Sequence, residues 1–132
     1  MNIEWKYKIA LANADVFAEI EKERNISFPN ELKKLIMEAN AATPSKYNFM
    51  IGNTEKVFGA VLSFNRNESD TDTVFTALNA IKDVNLIPFG IDPFGNYICY
   101  SVRDKRIVFW DHESDNVTSI SDNLAEFLAD LY

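Results

Sequence analysis

His112 is the only histidine in the chain, and it lies between Asp111 and Glu113. An imidazole beside carboxylates could do acid–base work or hold a metal. Here the carboxylates are its own chain neighbours, and adjacent residues of an extended segment point to opposite faces. No second histidine or cysteine cluster is present to complete a metal shell. Cys99, the only cysteine, could act as a nucleophile paired with His112. It sits between Ile98 and Tyr100 with no basic neighbour to lower its pKa, the setting of a buried, inert thiol. Glu68, Asp70 and Asp72 imitate the start of a calcium loop, but the Gly and the bidentate Glu that such a loop needs are missing at their spacings. Gly90 and Gly95 form neither of the glycine patterns that cradle phosphates. The residue types therefore point to no catalytic, cofactor or metal site.

What remains is recognition chemistry. Phe94, Tyr97, Tyr100, Phe109 and Trp110 could anchor an interface. Most belong to apolar runs and are expected in the core, whereas Phe94 falls at the tip of a turn and should be exposed. Asp111, Glu113 and Asp115 form an acidic edge that could face a basic partner, where carboxylates raise the association rate more than the affinity. Glu68, Asp70 and Asp72 default to a solvated loop and join these as candidate partner contacts.

The elements that must position these residues centre on Leu86 to His112. Ile87–Ile91, Tyr97–Val102 and Arg106–Trp110 are three apolar runs separated by Asp92-Pro93-Phe94-Gly95-Asn96 and by Arg103-Asp104-Lys105, the pattern of an antiparallel meander. In the middle run Tyr97, Cys99 and Ser101 alternate with Ile98, Tyr100 and Val102. Both faces carry bulk, which predicts a central strand covered on both sides.

Before the meander, Val16, Phe17 and Ile20 predict a helix over residues 15–24. A second helix is expected from about Pro29, capped by Ser27, with Leu32, Leu35, Ile36 and Ala39 at helical spacing. Residues 46–51 and 57–64 read as strands, the latter with a close backbone approach at Gly59. Residues 65–72 read as a loop, and a short helix follows from Asp72 or Thr73. After the meander come an edge strand over 117–120 and a helix capped by Ser121-Asp122, with Leu124, Phe127, Leu128 and Leu131 on one side. The sum is an α+β fold in a single domain, residues 1–132. Its sheet is antiparallel, or mixed, with about five to six strands, and N-terminal, central and C-terminal helices pack around it.

A chain of 132 residues can bury roughly two thirds of its unfolded surface. No apolar run approaches the roughly 20 residues needed to span a bilayer. Ala12-Asn13-Ala14 imitates a signal-peptidase site, but the apolar run before it is short and Glu4 stands where a basic segment should be. A single cysteine fits a reducing cytoplasm. The formal charge is −7, and residues 111–132 carry six acids with no Lys or Arg. Such a chain repels phosphate backbones, which disfavours nucleic acid as a partner.

Three patterns in sequence resemble the SUKH superfamily, which includes the yeast cell-wall-assembly regulator and many bacterial immunity proteins. The first is Phe28-Pro29-x-Glu31-Leu32-Lys33 with a helix ending in Asn40. The second is Ile87-Pro88-Phe89-Gly90 followed by Asp92-x-x-Gly95-Asn96-Tyr97-x-Cys99-Tyr100. The third is Val108-Phe109-Trp110-Asp111-His112-Glu113 leading to Leu124-x-Glu126-Phe127-Leu128. Together they cover about residues 15–131. Two positions depart from the pattern: Phe28 stands where Leu is common, and Ala41 where Gly commonly follows the helix-ending Asn, so the helix could end differently. The resemblance implies a cytoplasmic, non-enzymatic protein that neutralises a cognate toxin, often a nuclease with a basic nucleic-acid-binding groove, by direct binding. Its alternative implication is an intracellular scaffold or regulator. No contact residue carries over by motif, and no cofactor is implied.

Overall fold

The computed structural model describes residues 3–66, 68 and 71–132. In chain order the elements are β1 (Trp5–Lys6), α1 (Asp15–Arg24), α2 (Asn30–Ala39), β2 (Thr43–Pro44), β3 (Asn48–Ile51), β4 (Thr54–Val57), β5 (Ala60–Val61), α3 (Val74–Ala80), β6 (Leu86–Ile91), β7 (Tyr97–Ser101), β8 (Ile107–Trp110), β9 (Val117–Ser121) and α4 (Leu124–Asp130).

The three runs of the meander become β6, β7 and β8. They form the middle of a five-stranded sheet in the order β5-β6-β7-β8-β9, antiparallel at every pairing. All five residues of β7 are buried, as bulk on both its faces requires. β9 is the expected edge strand.

The expected strand over 57–64 is broken in two. β4 closes a hairpin with β3, and β5 joins the main sheet beside β6. Phe58 is the hinge: its ring is fully buried between Trp5, Phe89 and Phe127. Gly59 then donates its N–H to the Ile91 carbonyl at 2.9 Å. A Cβ at Gly59 would lie 3.0 Å from that carbonyl oxygen, so the close approach needs glycine. The first strand of the hairpin begins at Asn48 rather than Lys46.

Phe127 of α4 ties the hairpin to the sheet, its ring 5.5, 5.7 and 6.3 Å from those of Phe49, Phe58 and Phe89. Phe17 of α1, Phe28 and Phe64 make a second aromatic group. Arg24 at the end of α1 donates to the Leu78 and Ile81 carbonyls at 2.5 and 3.1 Å, satisfying the C-terminal end of α3.

Two caps differ from expectation. Ser27 is exposed and does not cap α2. Pro29 takes the cap position with ψ 136°, and no side chain caps the helix. The Phe28 N–H goes instead to Glu21 Oε2 at 2.7 Å. At α4 the cap is Asn123, whose Oδ1 accepts the Glu126 N–H at 2.8 Å; Asp122 pairs with Arg106. Thr73 caps α3 as its position suggests.

Asn40 ends α2 and is 2% exposed. Its Oδ1 accepts the Phe64 N–H at 2.7 Å and its Nδ2 donates to the Ile9 carbonyl at 3.0 Å, binding the helix end to two other segments. The following Ala41 has φ +63°, the left-handed conformation that glycine adopts without a Cβ penalty. The fold tolerates alanine there and carries the strain. Ala41→Gly should raise the unfolding free energy by about 0.5–1 kcal/mol in urea titration; a loss of stability would show that the methyl group's packing outweighs the strain.

Candidate partner-binding surface

The turn from β6 to β7 is organised by Asp92. Its Oδ1 accepts the N–H groups of Phe94 and Asn96, both at 2.9 Å, and its Oδ2 accepts the Asn96 side-chain amide at 3.0 Å. Gly95 supplies the positive φ, +87°, that lets the turn close. Asn96 faces the other way with its oxygen. Its Oδ1 takes the backbone N–H of His112 at 3.0 Å and meets His112 Nδ1 at 2.6 Å. Asp92 and Asn96 are both buried. The chain Asp92–Asn96–His112 thus locks the first turn of the meander to the loop between β8 and β9, sixteen residues on.

That loop carries the acidic edge. Asp111 Oδ1 accepts the Glu113 N–H at 2.8 Å, and Asp115 Oδ1 accepts the Trp110 indole N–H at 2.5 Å. Trp110 stacks on Tyr97, centroids 5.7 Å apart. Burial raises the Tyr97 hydroxyl's pKa, and the negative charge of Asp72 adds to it. Asp72 is exposed and within electrostatic reach of the stacked pair. Phe94 is 76% exposed at the tip of its turn.

Of the candidate contacts, Phe94, Asp111, Glu113 and Asp115 come together at one end of the sheet, joined through Asn96 and His112. Asp72 comes from the segment before α3 and reaches the same end electrostatically, through Tyr97. Glu68 accepts from Asn65 Nδ2 at 3.1 Å and supports its own loop. Asp70 lies outside the described residues. The acidic C-terminal segment does not form one patch: Asp122, at the far end of β9, is engaged by Arg106 at 2.8 Å, and Glu126 and Asp130 ride on α4.

His112 and Cys99 are not brought together. Cys99 is fully buried opposite Val108 in the sheet, whereas His112 lies in the loop beyond the end of β8. Burial pushes its thiol far above the usual range, against the opposing pull of the Arg24 charge. Recesses of 260, 430 and 350 Å³ occur elsewhere. Asn65 lines the first, Trp5 the second, and Tyr100 with Glu31 the third, and neither His112 nor Cys99 lines any of them. The Tyr100 hydroxyl donates to Glu31 Oε1 at 3.0 Å; burial and that bond push its pKa up to about 12. Sequence reasoning missed the Asp92–Asn96–His112 link. The Asp-Pro-x-Gly-Asn turn carries its local half, and nothing in the sequence signals its reach to His112.

These features define a single α+β domain whose polar residues act as struts beneath an acidic, aromatic-tipped rim. Residues 11–130 match the SMI1 / KNR4 family (SUKH-1), and the chain belongs to that family, which includes immunity proteins. No curated protein matches the chain. Among the described residues, no helix is long and apolar enough to cross a membrane.

Asn96→Ala would strip Asp92 of its side-chain amide donor and leave the His112 N–H without its acceptor. Stability should fall by about 2–3 kcal/mol in urea titration, and a change below about 0.5 kcal/mol would contradict the bracing role. Cys99 should resist a thiol reagent in the folded protein and react only at the rate of unfolding; rapid labelling under native conditions would contradict an inert thiol.

Proposed function

We propose that this protein is an immunity protein. It binds a cognate toxin in the cytoplasm, a nuclease with a basic nucleic-acid-binding groove, and blocks that groove without covalent chemistry. The observation that carries the reading is the rim where exposed Phe94 stands beside Asp111, Glu113 and Asp115 over a hydrogen-bonded brace. A prepositioned aromatic can act as an anchor at low entropic cost. The carboxylates around it would take the place of nucleic-acid phosphates against the groove and speed association. Family membership supports the same reading, because SUKH proteins include immunity proteins.

Co-expression with the toxin encoded beside this gene tests it. The wild-type chain should protect cells and elute with the toxin as a complex. Phe94→Ala should weaken binding by about 2 kcal/mol, roughly thirtyfold, and Glu113→Lys should slow association. A wild-type chain that neither protects nor forms a complex would remove the proposal.

A further inference from the structure

Among the described residues β9 is the last strand of the sheet and pairs only with β8, with β3 packed close by. Which of its backbone groups look outward follows from the ladder. Asp111 donates its N–H to the Asn116 carbonyl at 3.0 Å, and on the other side of β8 the Arg106 carbonyl accepts from Ser101 at 2.9 Å. Hydrogen-bonded and non-bonded pairs alternate along antiparallel strands. Trp110 stands opposite Val117, Phe109 opposite Thr118 and Val108 opposite Ser119. Thr118 therefore turns its N–H and C=O inward to Phe109, while those of Val117 and Ser119 face outward.

All three residues are exposed. Further along, Ile120 and Ser121 border a 150 Å³ cavity with Phe49, Met50 and Phe127, so the open part of the edge is Val117–Ser119. The strand reads Val-Thr-Ser-Ile-Ser and has none of the lysine, glutamate or proline that normally blunts such an edge.

Charge selects the occupant. Asp111, Glu113 and Asp115 precede the strand and Asp122 follows it, bonded to Arg106, while Lys56 lies over the ring of Phe109, the partner of Thr118. A second copy added antiparallel would bring Asp115 of one chain toward Asp122 of the other, which like charges oppose. A strand with an uncharged middle and Lys or Arg at its ends would fit.

We infer that the open edge of β9 accepts an extended, basic-ended segment of the toxin as a sixth strand, main-chain bonds to Val117 and Ser119 supplying affinity and the flanking acids supplying selectivity. This rests on the immunity reading and names how the partner is held. Because the Ser119 N–H faces outward, Ser119→Pro removes a docking bond without breaking the ladder to β8. Ser119→Ala is its control, losing the same hydroxyl contact with Arg106, 3.2 Å, but keeping the N–H.

The test titrates the purified neighbouring-gene toxin against wild type and both variants, and follows amide exchange of the wild-type chain free and in the complex. Ser119→Pro should bind about tenfold more weakly or worse, Ser119→Ala within about twofold of wild type, and the Val117 and Ser119 amides should gain protection. A complex in which those amides exchange as in the free protein would overturn the inference and leave the immunity reading standing. Amide exchange decides even if the proline variant is unstable. No complex with wild type would sink both.

Discussion

Asp92 is the residue on which the outer architecture depends. Taking a carboxylate out of water is costly unless its oxygens are bonded, and here two backbone N–H groups and one side-chain amide do that. The compensation has a structural consequence. Holding the Asn96 amide toward Asp92 commits the Asn96 oxygen to the opposite side, where His112 uses it. One buried charge thereby fixes the turn that presents Phe94 and the loop that presents Asp111, Glu113 and Asp115 relative to each other.

The same economy runs through the molecule. Side chains with reactive reputations are used as struts: Tyr100 binds Glu31 across from sheet to helix, Asn40 joins α2 to Ile9 and Phe64, and Cys99 fills space in the central strand. The three sequence patterns that mark the family meet through such contacts. Glu31 of the first reaches Tyr100 of the second, and Asn96 of the second reaches His112 of the third. The residues of these patterns are thus bonded to one another within the chain.

The helix over Asp15–Arg24, the start of α3, the meander and the edge strand were legible because each is written in local periodicity and turn chemistry. Three features were not. Ser27 and Ser121-Asp122 are good capping residues by type, yet Pro29 and Asn123 hold the cap positions, because tertiary contacts of Phe28 and Arg106 set where each helix begins. The run 57–64 is apolar enough for one strand, and only the burial of Phe58 against three distant rings breaks it. The candidate contacts could be named from sequence, but their grouping could not. The pairing of Tyr97 with Trp110 sets the two loops side by side, and the Asn96–His112 bond then joins them, a long-range contact with no local signal in the sequence.

In the proposed reading the rim acts by shape and charge, its conformation held beforehand by the Asp92–Asn96–His112 bonds. Carboxylates on an exposed loop contribute little to the strength of a finished complex and much to the rate of encounter. The most direct measurement is the association rate with the toxin as salt rises from about 20 mM to about 500 mM, where screening shortens the reach of charges several-fold. The account predicts an on-rate that falls at least about tenfold with an off-rate nearly constant; an on-rate indifferent to salt would contradict it.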